Sequence, residues 1–129
     1  VTKAQQATIS AAIASAEDGT TGRIAVREIP DRSVDAFERA KREFGRIGLQ
    51  RHEHANGALI LVAPQARRFA IIGDRALHER VGDAFWNDLV NESQPFFARG
   101  DTAAGILFAV ARLGEVLHAH FAEPGTSLA

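Results

Sequence analysis

Glu17, Asp18, Asn56 and Asp74 are the side chains in this sequence best suited to hold a hard cation, because carboxylate and amide oxygens are the ligands Ca²⁺ and Mg²⁺ prefer. Thr21 and the backbone carbonyls around Asn56-Gly57 and Gly73-Asp74 would complete such a set. The same residues also read more plainly, Asn56-Gly57 as a turn before a strand and Gly73-Asp74 as a helix-capping turn, and neither needs a ligand. A second group, Ser33, Arg67 and Arg68, suits an anion held between a helix start and two guanidinium groups. Its plainer reading, which we prefer, is a pair of arginines solvating a hairpin turn.

Other suggestive residues carry less. His52-Glu53-His54 has neither a fourth ligand nor the i,i+4 spacing of a helical metal site, so a solvated loop is expected. His118 and His120 sit two apart on a predicted helix and point in different directions. Trp86, Phe96 and Phe97 could line a pocket, but aromatics at helical spacing in a small domain fit a core better. No nucleophile elbow, phosphate-binding loop or dinucleotide fingerprint is present. The absence of cysteine removes disulfides, thiolate catalysis and cysteine-bound metals.

These residues must be positioned by a chain of 129 residues, the size of one domain with one core, which we place at about residues 5–121 with a frayed tail at 122–129. Fifteen Lys plus Arg against sixteen Asp plus Glu give a net charge of −1, so nothing global favours nucleic acid or an anionic membrane. The unbroken apolar run 58–63 is too short to span a bilayer. The chain reads as soluble, which tips the expectation slightly toward the cytoplasm, although a removed signal or anchor would leave no trace.

Periodicity supplies the elements. Ile9, Ala12, Ile13 and Ala16 predict a helix ending near Asp18-Gly19. Residues 23–29 alternate as a strand, with Ile24 and Val26 on one face and Ala25 and Ile29 on the other. Ser33 is expected to cap a second helix whose stripe is Val34, Phe37, Ala40, Phe44 and Ile47, closed by Gly48. The unbroken run 58–63 predicts a central strand covered on both faces, and the four-residue link 64–67 pairs it antiparallel with 68–73. Leu77, Val81, Phe85 and Leu89 predict a third helix, which Pro95 should break or kink. Asp101 should cap a fourth, with Ile106, Val110, Leu113, Leu117 and Phe121 buried.

The expected fold class is α/β: an αβα sandwich in the order αβαββαα, its small mixed sheet covered by helices on both faces. The first two strands, joined through a helix, should run parallel. Glu17, Asp18, Thr21, Asn56 and Asp74 then meet at one end of the sheet, while Ser33, Arg67 and Arg68 meet at the other.

Thr21-Gly22-Arg23-Ile24, Asn56-Gly57 before a purely apolar strand, and residues 68–74 ending in Gly73-Asp74 resemble the TPM-domain family. The match continues through His78-Glu79-Arg80-Val81-Gly82 to Phe85-Trp86, then Phe97, Gly100 and Gly105, so the resemblance covers about residues 9–121. It implies an αβα sandwich. Relatives include thylakoid-lumen proteins linked to photosystem II repair, described as acid phosphatases, some of them Ca²⁺-binding. The sequence departs from that pattern at Arg23, where the family commonly has an acid, at Ala55, often basic, and at Ala76, commonly glycine. All three changes fall around the expected ion site and weaken the transfer of metal binding to it.

The expected function is therefore a TPM-domain interaction or stress-protection module without catalysis, with an unidentified protein as partner and Ca²⁺ or Mg²⁺ as the only candidate cofactor. The alternative is a metal-dependent, acid-phosphatase-like hydrolase of phosphomonoesters, in which an ion near Asp74 and Asn56 polarises a phosphoryl oxygen.

Overall fold

Residues 57–63 are all buried, and they form the middle strand of a three-stranded sheet. The computed structural model describes residues 1–32, 35–49 and 53–124. Its elements are α1 (Lys3–Glu17), β1 (Arg23–Glu28), α2 (Ala36–Arg46), β2 (Gly57–Ala63), β3 (Arg68–Gly73), α3 (Arg75–Ala98) and α4 (Thr102–His120). β1 runs parallel to β2 with Arg23 beside Gly57, and β3 runs antiparallel with Gly73 beside Ala58. A 3₁₀ turn at Pro64–Ala66 and a left-handed Arg67 make the short link between β2 and β3.

Alternation along β2 divides the core. Ala58, Ile60 and Val62 face a large cluster with Ile24, Ile71, Leu77, Leu89 and the apolar side of α4, against which α1 packs. Leu59, Leu61 and Ala63 face a smaller cluster closed by Ala36, Ala40 and Phe44 of α2. Three helices therefore cover one face and one covers the other, the expected sandwich. α4 is 19 residues long and apolar enough, at mean hydropathy 1.3 over 18 of them, to cross a bilayer by length and composition. Its Ile106, Ala109, Val110, Leu113 and Leu117 are instead packed into the large cluster.

Four expectations are corrected. Phe37 is exposed (56%), because α2 turns Ala36, Ala40, Glu43 and Phe44 inward. The cap of α2 is Asp35, whose carboxylate accepts from Glu38 N at 3.1 Å; Ser33 and Val34 lie outside the described residues. The break in α3 falls at Gly82 (φ 74°, ψ 173°), a backbone conformation glycine adopts without strain, and not at Pro95. Pro95 sits exposed near the helix end, where water can satisfy the carbonyl that its missing N–H leaves free. Finally, the tail is pinned further than expected: Thr20 bridges Ala122, and Glu123 N donates to Gly19 O at 2.8 Å. Residues 125–129 lie outside the described residues. Asp101 does begin α4, but its side chain makes no capping bond and pairs with Arg99 instead.

Candidate functional site: the Asn56/Asp74 end of the sheet

The start of β1, the start of β2 and the end of β3 lie together, as the ladder registers require. Asp74 N donates to Gly57 O at 2.8 Å and Ala76 N donates to Ala55 O at 2.9 Å, so the loop entering β2 is stitched to the first turn of α3. Asn56 is fully buried, and its Nδ2 donates to Thr21 Oγ1 at 2.9 Å. Ala55 holds a left-handed φ of 51°, an uncommon conformation for a residue with a side chain.

Two of the three acidic residues here have a structural task. Glu17 Oε2 accepts from Ile24 N at 2.7 Å and so ties the end of α1 to β1. Asp74 Oδ1 accepts from Arg75 N at 2.7 Å as the cap of α3. Asp18 is exposed at the C-cap of α1, and its carboxylate makes no hydrogen bond among the described residues. Two oxygens remain: Asn56 Oδ1 and Asp74 Oδ2 are both buried without a hydrogen-bond partner. Buried acceptors normally find a donor, an ordered water or a cation, so this pair marks the place at this end of the sheet where one would fit. Among the described residues no three His, Cys, Asp or Glu side chains gather closely enough to hold a metal. Glu17, Asp18 and Asp74 therefore form no carboxylate triad, and an ion would draw on amide, hydroxyl and main-chain oxygens as well.

The opposite end is arranged differently. A cleft of about 490 Å³ is lined there by Phe37, Arg67, Arg68, Phe69, Val90 and Gln94. Arg67 Nη1 donates to Ala98 O at 3.1 Å near the end of α3, and Arg68 is exposed. The α2 N-terminus already carries an anion, the Asp35 carboxylate. Ser33 is outside the described residues, as is His52. Glu53 and His54 form an exposed pair at 3.2 Å, and His118 Nε2 lies 3.4 Å from Ser15 O, away from His120. Phe97 stacks on Phe69 at 4.3 Å, Phe96 packs on Phe108 at 5.5 Å, and Trp86 leans edge-on to Phe85. A Cβ at Gly73 would collide with the Trp86 ring, so this glycine gives the indole its place against the strand end.

One ionisable group of note escaped the sequence reading. Glu43 is 6% exposed, faces inward from α2, and accepts from Arg46 Nε at 3.0 Å and Nη2 at 2.7 Å. The Arg46 guanidinium holds its carboxyl below the ordinary range, against the opposing effect of burial. Arg46 three residues on and Arg39 four residues back were the available signal.

An αβα sandwich with a small, open mixed sheet defines the class. A sequence model of the TPM domain matches residues 1–116, and the chain belongs to the TPM-domain family. Among solved structures it is similar to the BA42 protein of the psychrophilic bacterium Bizionia argentinensis, at 30% identity and a TM-score of 0.85, over 95% of this chain and 84% of that one. The N-terminal domain of a P. gingivalis protein shares the fold at 17% identity and a TM-score of 0.78, over 94% of this chain and 78% of that one. The N-terminal domain of a Corynebacterium glutamicum protein does so at 19% identity and 0.71, over 91% and 74%. No curated protein matches the chain.

Proposed function

We propose that this TPM domain is a non-catalytic interaction module whose Asn56/Asp74 end takes a divalent cation, Ca²⁺ in preference to Mg²⁺. The observation that carries the reading is the pair of buried, unpartnered oxygens Asn56 Oδ1 and Asp74 Oδ2. Asp74 and Asn56 would be ligands, with Glu17 and Asp18, before β1 at the same end of the sheet, to complete the shell. Ca²⁺ is favoured because it accepts irregular sets of carboxylate, amide and carbonyl oxygens, whereas Mg²⁺ demands near-octahedral geometry. With Glu17 committed to Ile24 N and Asp74 Oδ1 to Arg75 N, the cation would brace three loops against one another.

Metal-stripped protein titrated with Ca²⁺ and then Mg²⁺ should show saturable backbone amide shifts confined to residues 17–22, 54–58 and 72–76. Asp74→Asn, which keeps a capping side chain, should weaken them. No shift at millimolar ion would overturn the cation reading. Metal-dependent release of phosphate from phosphomonoesters by the pure protein, lost in Asp74→Asn, would replace the interaction module by the hydrolase.

A further inference from the structure

β1 is an outer strand, and its hydrogen-bonding groups alternate between two sides. Ile29 N, just past its end, donates to Val62 O at 2.9 Å, so the odd-numbered residues of this stretch face β2. Ile24, Val26 and Glu28 therefore present their N–H and C=O groups to the free edge. Two are occupied: Ile24 N donates to Glu17 Oε2, and Val26 O accepts from Arg27 Nη1 at 3.0 Å. Val26 N–H and Ile24 C=O have no partner among the described residues. Beside this edge runs a groove of about 590 Å³ between α1 and β1, with Ile9, Ile13, Ile24, Val26 and Ile106 in its lining.

The charges along the strand are one-sided. Arg23 and Arg27 are exposed and form no ion pair among the described residues, while Glu28 is bridged to the Val1 amino group at 3.0 Å. We propose that the free edge of β1 docks an extended segment of a partner protein that alternates apolar and acidic residues, adding a strand to the sheet. Its apolar side chains would enter the groove on the side of Ile24 and Val26. Its carboxylates would lie on the other face, beside Arg23 and Arg27, where unlike charges on neighbouring strands attract. A second copy fits less well: two β1 strands paired antiparallel about a twofold, with Ile24 opposite Val26, would set Arg23 of one against Arg27 of the other.

This proposal rests on the reading of the chain as an interaction module and is independent of the cation. The test is an amide NMR titration with two terminally blocked peptides, one alternating Val and Glu, the other Val and Lys. The Val/Glu peptide should shift the Ile24, Val26 and Glu28 amides saturably and slow exchange of Val26 N–H. It should bind about tenfold more tightly than the Val/Lys peptide, as charge complementarity across an interface predicts. Arg27→Glu, an exposed change that leaves one cation and one anion on this face, should abolish that preference, and Arg23→Glu is the substitute if the first variant does not fold. No shift at β1, equal affinity for both peptides, or concentration-dependent pairing of two copies through β1 would overturn the proposal. If a partner captured from cells were retained equally by Arg27→Glu, the β1 edge would fail while the interaction module stood.

Discussion

Glu43 sits among Ala36, Ala40 and Phe44 on the side of α2 that meets the sheet. Here the carboxylate turns inward and is held by Arg46 and Arg39. Its pKa is lowered from 4.5, so its stabilising contribution is present above that value and is lost as pH falls through the lower, folded-state value. Acid unfolding followed by circular dichroism should therefore show Glu43→Gln closer to wild type below about pH 4 than at neutral pH, where it should be the less stable. Asn56 and Asp74 were legible because Asn-Gly and Gly-Asp mark turns by their own chemistry. The bond from Ile24 N to Glu17 was not, since it depends on where one strand ends up beside a helix terminus.

Among the elements, strands were read well and helix interruptions poorly. β2 announces itself by lacking any polar residue, and its neighbour β3 follows from a short link. The break in α3 was expected at Pro95 because proline cannot donate, yet a proline near an exposed helix end costs little when water serves its orphaned carbonyl. Gly82 carries the real interruption, with a φ that disfavours any side chain. Nothing lies within 4 Å of where its Cβ would be, so Gly82→Ala isolates the backbone effect. We expect that substitution to destabilise the domain by about 1–3 kcal/mol in urea unfolding, the cost of holding an L-residue at a positive φ with an extended ψ, a region occupied almost only by glycine. Phe37 fails as a stripe residue for a related reason: the helix begins at Ala36, and its small residues, not its largest one, let it approach the sheet.

At the scale of the molecule, one strand belongs to two cores. Ile60 is fully buried in the large cluster and Leu61 in the small one, on opposite faces of β2. Truncating either to alanine should cost about 2–5 kcal/mol. Both losses should displace the same single unfolding transition, seen alike by near-UV and far-UV circular dichroism; two separable transitions would show the clusters to be independent. The overall architecture was visible in the sequence because layering follows from period and link length. The division of labour between the helices, three on one face and one on the other, was not, because it depends on where each helix docks after its link.

The turn at Pro64–Arg67 also sets an order in time. β2 and β3 are joined by a link that can close within microseconds, whereas β1 and β2 pair across about 34 positions and need α2 in place between them. The hairpin should thus be the early event of folding and β1 a late one, an order that pulsed hydrogen exchange at the β2–β3 and β1–β2 amides would read. A strand that is last to be incorporated is also first to be released, so fluctuations of the native state should open the sheet along the β1–β2 seam while the β2–β3 seam stays shut.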